Sequence, residues 1–225
     1  MNPIAAVLPP PRSNREAPPV KSRERIMDVA EELFGQLGFE ATSTRSIALK
    51  ADVKLGTVHY HFASKRQLFI EVFMRRGRPL AAERLRLLQE ARKQWPGSPI
   101  PLVELIRRLL SPLVQLALTP EGAAFVNLNA RLTSEPPDLA QEVRDRLHNE
   151  IAPHFVSAFR EALPHLPDEV VYWRIYLMMV VITSTMLKSE RLSFMSGGKC
   201  DSDDLQMAMK QMVPFIEAGL RAPLP

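Results

Sequence analysis

From residue 26 onward the apolar positions fall on one helical face. Ile26, Val29, Ala30, Leu33, Phe34 and Leu37 stand at i, i+3, i+4, i+7, i+8 and i+11. The pattern predicts a helix from about Lys21 that stops at Gly38, a C′ glycine, with Phe39 folding back on Phe34 as in a Schellman cap. Ser43 is placed to cap a second helix over 44–51, with Asp52 as the turn residue, and a third helix covers Leu55–His61. Ser64-Lys65-Arg66-Gln67 reads as an S-x-x-Q capping box. It opens a fourth helix whose inner face carries Leu68, Phe69, Val72 and Phe73 and which runs to the low 90s, kinked at Pro79.

Trp95-Pro96-Gly97-Ser98-Pro99 breaks the chain, and five more helices are expected at about 101–118, 121–133, 138–163, 168–189 and 203–220. Pro112, Pro153 and Pro214 fall inside these patterns and should kink them, and a loop is expected over 193–202. No stretch alternates with period two. The class is therefore all-α: an N-terminal three-helix helix-turn-helix domain and a C-terminal helical bundle, about nine helices in all. Residues 1–20 read as a disordered proline-rich arm holding six of the 20 prolines, 21–66 as the helix-turn-helix domain and 67–225 as the bundle.

A chain of 225 residues can bury a full core without metal or disulfide staples, and the single Cys200 excludes an intramolecular disulfide. The formal charge of +4 is unevenly spread: residues 1–78 carry +5 and residues 79–225 carry −1. A polyanion would dock on the N-terminal third. Ile4 to Leu8 is too short for the apolar core of a secretory signal and lacks a preceding basic residue. The most apolar run, 175–187, is shorter than the roughly 20 residues a bilayer requires, so a buried helix is expected and no membrane partner. His59 and His61, at i and i+2, point to different faces and cannot share a metal. No nucleophile elbow, phosphate loop or dinucleotide fingerprint is present, so neither enzyme activity, cofactor nor metal is expected.

The third helix carries the chemistry. Val58 and Phe62, at i and i+4, can bury together, which turns Thr57, His59, Tyr60 and His61 outward, while Gly56 allows close backbone approach. Lys65 and Arg66 stand in the first turn of the fourth helix, where the macrodipole disfavours cations by about 0.3–1 kcal/mol each. A phosphate there would relieve the mismatch; the alternative is that both side chains splay into water.

Arg25-Ile-Met-Asp-Val-Ala-Glu-Glu-Leu-Phe, Gly38-Phe39, Thr44-Arg45-Ser46-Ile47-Ala48 and Gly56-Thr57-Val58-His59-Tyr60-His61-Phe62-Ala63-Ser64-Lys65 together resemble the tetracycline-repressor (TetR) family over about 50 contiguous residues. The resemblance implies an all-α homodimer that binds a palindromic double-stranded DNA operator, most simply a repressor released by a small hydrophobic effector, in the bacterial cytoplasm and associated with the nucleoid. It implies Thr44 and Arg45 on the DNA backbone, Leu55, Gly56, Thr57, His59, Tyr60 and His61 as the reading surface, and Lys65 on phosphate. Asp52 stands where the family has glycine most often, and His59 where it has tyrosine. An effector-independent regulator or activator is the alternative; a helical enzyme or lipid carrier is a remoter one.

Leu109-Leu110-Ser111-Pro112-Leu113, Leu163-Pro164, Trp173-Arg174-Ile175 and Gly197-Gly198 resemble the fatty-acid-responsive subgroup of that family, which puts a fatty acid or acyl thioester first among effectors. The expected pocket draws on Leu109, Leu113, Phe125, Leu128, Phe155, Phe159, Trp173, Tyr176, Met179 and Val180, with Asn127, Arg131 and Arg174 as its polar groups. Arg174 reads either as a ligand anchor or as one half of an ion pair with a carboxylate of the 138–163 helix. Met186, Leu205, Met209, Met212, Ile216 and Leu220 are expected at the dimer interface. Arg12, Arg15 and Lys21 could add DNA affinity from the arm, or the arm could be idle.

Overall fold

In the computed structural model, residues 19–186 and 190–224 are described, with the backbone alone for residues 19, 20 and 148–150. The expected arm over 1–20 therefore lies almost wholly outside the described residues. The elements are α1 (Pro19–Ala41), α2 (Thr44–Lys50), α3 (Leu55–His61), α4 (Lys65–Gln94), α5 (Leu102–Ala117), α6 (Pro120–Arg131), a 3-10 turn (Leu132–Ser134), α7 (Pro137–Ala162), α8 (Asp168–Met186), α9 (Glu190–Ser196) and α10 (Leu205–Arg221). No strand occurs among the described residues. The count exceeds nine because 190–196, expected partly as loop, forms the short helix α9.

Local chemistry sets the N-terminal elements. Gly38 breaks α1 at φ 83°, ψ 173°, a region that is essentially glycine-only. The break lets Phe39 stack on Phe34, with centroids 6.1 Å apart. The buried hydroxyl of Thr42 donates to Gly38 O at 2.8 Å and closes the turn. Ser43 and Ser46 form a reciprocal capping box on α2. Asp52 takes φ 50°, so the turn between α2 and α3 keeps its left-handed residue without glycine. At α4, Ser64 caps Gln67 N as expected, but the Gln67 side chain accepts from Ala63 N at 3.2 Å, one residue earlier than a standard box. Pro79, Pro112, Pro153 and Pro214 lie inside continuous helices rather than ending them.

Ile26, Ala30, Phe34, Ile47, Val58 and Phe62 bury together with Phe69 of α4 as the core of the N-terminal half. The rings of Phe34, Phe69, Phe73 and Phe125 continue that core into the second half through edge contacts of 5.0 Å (Phe34–Phe69) and 5.2 Å (Phe73–Phe125) and a tilted pair, Phe69–Phe73, at 6.4 Å. The two halves are joined by more than α4. Gly35 of α1 sits so close to α6 that a Cβ there would lie 2.9 Å from Ala124 O. Glu135, buried, accepts from Phe39 N at 3.0 Å. Arg66 clasps the first turns of α7, reaching Asp138 at 2.5 Å and Glu142 at 2.9 Å. Arg75 and Arg76 of α4 both reach the buried Glu31 of α1. Burial pushes the Glu31 carboxyl above its ordinary value, against the opposing pull of those two guanidinium groups.

In the C-terminal half, α5 buries one full face, Leu102 to Ala117, between α4, α6, α7 and α10. Helix α8 is not apolar and covered all round. Only the stripe Val171, Met178, Ile182 and Met186 is buried, while Tyr172, Trp173, Tyr176, Leu177 and Val180 are exposed. By length and composition α8 could cross a membrane, although its inner stripe packs on α6, α7 and α10.

Candidate nucleic-acid interface

Val58 and Phe62 are both almost fully buried, and they fix the roll of α3. The opposite side presents Leu55, Gly56, His59 and Tyr60, with Tyr60 79% exposed, and Thr57 at the margin. Arg45 is exposed and Thr44 half-buried at the start of α2. Together they form a continuous polar and aromatic face that offers hydroxyl, imidazole and guanidinium groups to phosphate and base edges.

Two expected members are placed differently. His61 is half-buried, and its Nε2 lies 3.0 Å from Ser22 Oγ of α1, so it braces α3 rather than facing outward with Tyr60. Lys65 does not splay into water. Its ammonium donates to Phe39 O at 2.9 Å and sits 4.1 Å from the Phe39 ring centroid. The carbonyl just beyond the break in α1 and the ring face both favour a cation there. Arg66 escapes the dipole mismatch in the same way, through Asp138 and Glu142, whose carboxyls it holds below their usual range by hydrogen bonding. These interdomain partners could not be seen in the sequence, because they depend on where α7 crosses α4.

The expected effector residues separate into three groups. Leu109, Leu113, Phe125, Leu128, Phe155 and Phe159 are buried together in the core, with Met179 half-buried against it. Asn127 and Arg131 leave that group. Asn127 faces Gly35, and the Arg131 guanidinium lies beside Gly38, because α1 packs along α6 at this point. Trp173, Tyr176 and Val180 are exposed, so they cannot line an internal pocket of one chain; Tyr172, Trp173 and Tyr176 instead form an open cavity of about 580 Å³ with Glu169. Among the described residues Arg174 forms no ion pair and lines no cavity. It donates to Leu220 O at 2.7 Å and Pro223 O at 3.2 Å, serving the carbonyls at the end of α10, where a cation is favoured.

The expected dimer residues also turn inward. Met186, Leu205, Met212, Ile216 and Leu220 are buried within the chain and Met209 is half-buried, because this face of α10 packs on α5 and α8. Sequence periodicity marks an apolar face without saying which neighbour covers it. The apolar side chains left uncovered in this half include those on the outside of α8, with Phe215 and Met207 on α10 and Leu192, Phe194 and Met195 on α9.

Sequence reasoning missed Arg84. It lies in the buried stripe Leu80, Ala81, Arg84, Leu88 and Ala91 of α4, so an arginine on an apolar helical face was the available signal. It is only 9% exposed, and its one described partner is Leu109 O, to which Nε donates at 2.8 Å. Burial pulls its guanidinium down to about 10, leaving it charged at neutral pH.

A helix-turn-helix unit with an outward α3, fused through one 30-residue helix to an α-helical bundle, defines a one-chain DNA-binding regulator. The family described as "Bacterial regulatory proteins, tetR family" matches residues 26–72, and "Tetracyclin repressor-like, C-terminal domain" matches residues 107–219. The chain belongs to the TetR family of transcriptional regulators. It is similar to the HTH-type transcriptional regulator AcrR of Shigella flexneri, 31% identical over 102 residues that cover 45% of this chain and 44% of AcrR. It is also similar to QacR of Staphylococcus aureus, 38% identical over 50 residues, 22% of this chain and 27% of QacR. Each match spans less than half of the curated relative. The fold is that of a TetR-like transcriptional regulator from Rhodococcus sp. RHA1, with a TM-score of 0.61 at 16% identity, covering 93% of this chain and all of that one. The family and these neighbours are transcription regulators, not enzymes.

Proposed function

We propose that this regulator is a homodimeric repressor that binds an inverted-repeat operator through α3 and leaves it when a small, largely apolar effector binds the C-terminal half. The carrying observation is the exposed Leu55, His59 and Tyr60 face held outward by buried Val58 and Phe62. Arg45, Thr44 and Thr57 border that face and extend it toward the DNA backbone, and Lys65 keeps two donors beyond the one given to Phe39 O. The dimer forms through the outer face of α8 together with Phe215 of α10. Tyr172, Trp173, Tyr176, Leu177 and Phe215 are too large an apolar set for one chain to leave wet, and the neighbouring Ala218 and Gly219 allow close approach of a second copy. A two-fold axis there sets two α3 helices about 34–36 Å apart, one turn of DNA.

A fatty acid or acyl thioester leads the effector classes, followed by aromatic compounds, in the apolar interior around Leu109, Leu113 and Phe155. The joints available to carry the signal are the tight α1–α6 contact at Gly35 and the ion pairs of Arg66 and Glu31. A ligand acts through them only as far as it prefers the non-binding conformation. Selection of bound duplexes from a random pool, followed by titration of long-chain acids, acyl thioesters and aromatic compounds against the selected complex, tests this reading. Enrichment of an inverted repeat and its release by one compound class is the expected result. Enrichment with no release by any class would favour the effector-independent regulator, and no enrichment at all would contradict both.

A further inference from the structure

A lysine that anchors a phosphate works best when it is already held, because a free lysine side chain loses much of its rotamer freedom on binding. Lys65 is held by the backbone of Phe39. Phe39 O accepts from Nζ at 2.9 Å, and the ammonium sits 4.1 Å from the Phe39 ring centroid. The ring itself is locked, stacked on Phe34 and edge-on to Phe69 with centroids 5.5 Å apart. The direction of the carbonyl then decides where the ammonium stands.

That direction is not set by α1 alone. Gly38 breaks the helix immediately before Phe39. Beyond the break the Phe39 N–H donates to the Glu135 carboxylate at 3.0 Å, across 96 residues of chain. Glu135 is buried and belongs to the C-terminal half, between the 3-10 turn and α7, where its own N–H bonds Leu132 O at 3.4 Å. Gly38 also clears the way for it, since a Cβ there would lie 3.3 Å from Glu135 Oε1. Thr42 N–H shares Phe39 O at 3.3 Å and closes the turn on the other side. One residue is thus gripped at both ends by full charges of the matching sign, carboxylate on its N–H and ammonium on its C=O. Charge-assisted bonds of this kind are about twice as strong as neutral ones.

We propose that Glu135 is a positioning residue for DNA binding: through the backbone of Phe39 it sets the Lys65 ammonium where its remaining N–H groups meet a phosphate. The proposal rests on the DNA-binding reading above, in which Lys65 is a phosphate contact, and assigns a role to a carboxylate outside the DNA-binding half. Lys65 opens α4 only three residues beyond the end of α3, so its ammonium is tied to the same local frame as the exposed face of α3. Without Glu135 the Phe39 N–H loses its acceptor, the carbonyl turns freely, and Lys65 must be ordered by the DNA itself. The sign of the effect is distinctive. Removing a carboxylate from a DNA-binding protein ordinarily strengthens binding by reducing repulsion of the phosphates. Loss of Glu135 should weaken it.

The duplex enriched from a random pool is the probe. Its affinity is measured across salt concentrations for wild type, Lys65→Met, Glu135→Ala, Glu135→Gln and the double variant Glu135→Ala/Lys65→Met, with thermal unfolding of each. Lys65→Met should weaken binding about tenfold and lower the salt slope by about one unit. Glu135→Ala should lose nearly as much, and the double variant should bind no more weakly than Lys65→Met alone, because the two residues act as one unit. Glu135→Gln keeps a carbonyl oxygen for Phe39 N–H and should stay within about threefold of wild type. Full affinity in Glu135→Ala overturns the proposal, as does a Gln variant no better than Ala. A further loss on adding Glu135→Ala to Lys65→Met overturns it too, since Glu135 would then act on the fold and not on Lys65. If Glu135→Ala fails to fold, Glu135→Asp replaces it with the same outcomes, being one methylene too short to reach Phe39 N–H while keeping the charge. Wild-type affinity in Lys65→Met, with binding lost in Tyr60→Ala, overturns the positioning role and leaves the α3 reading standing; a wild type that enriches no duplex removes both.

Discussion

Gly35→Ala is a substitution whose sign the structure decides. In an isolated helix the change stabilises by about 0.5–1 kcal/mol, because alanine loses less conformational entropy than glycine. Gly35 is buried in α1, however, and a Cβ there would lie 2.9 Å from the carbonyl oxygen of Ala124 in α6. Ordinary contact begins near 3.4 Å, so α1 and α6 would have to separate by about 0.5 Å along the whole joint between the halves. The obstacle is backbone and cannot rotate away, and overpacking of this kind costs about 1–3 kcal/mol. The net expectation is a loss of about 0.5–2 kcal/mol by urea unfolding, and operator affinity should change with it, because this joint fixes the DNA-binding half. A gain of stability near the helix-propensity value, with unchanged DNA binding, would refute the tight α1–α6 contact and the coupling built on it.

Tyr60→Ala should weaken operator binding at unchanged stability, whereas Val58→Ala, which empties a buried site, should cost about 1–3 kcal/mol of stability; electrophoretic mobility shift and thermal unfolding on the same samples separate the two effects. Phe215→Arg should give folded monomers by analytical ultracentrifugation, while Met212→Arg places a charge inside the chain and should unfold it; dimers of normal stability from Phe215→Arg would move the interface elsewhere. For the Arg66 clasp, Asp138 and Glu142 have lowered carboxyl values in the folded state, so the stability they contribute is complete above ordinary carboxylate values, about pH 4, and is lost as pH falls through the lowered ones. The difference in unfolding midpoint between wild type and Arg66→Met should therefore shrink on acidification below about pH 4 and hold steady from there to neutrality.

The helices of the N-terminal half were legible because each boundary is written in local chemistry. Gly38, the Ser43 cap, Asp52 and the Ser64 cap need no tertiary partner to act. The outward face of α3 was legible for a similar reason, since burial of Val58 and Phe62 fixes the roll of a seven-residue helix. Distance along the chain hid the rest. Lys65 and Arg66 looked free because Phe39 and the start of α7 are 26 and 72 residues away. Both faces of α8 carry apolar side chains, so composition did not tell core from outer face: Met212, expected at the interface, is buried within the chain, while Phe215, of which nothing was expected, is exposed. Arg174 lay in an apolar run that invited a ligand, but the carbonyls of α10 come to it in the fold.

The account rests on a dimer that places two α3 faces on one side of a DNA duplex. Hydroxyl-radical footprinting of the wild-type protein on its selected operator measures that directly. Two protected half-sites related by inversion and centred about 10 base pairs apart, or a whole multiple of that, are the expected result, with both protections lost together in Tyr60→Ala. A single protected site, or full protection by a Tyr60→Ala dimer, would contradict the assignment of this face to DNA.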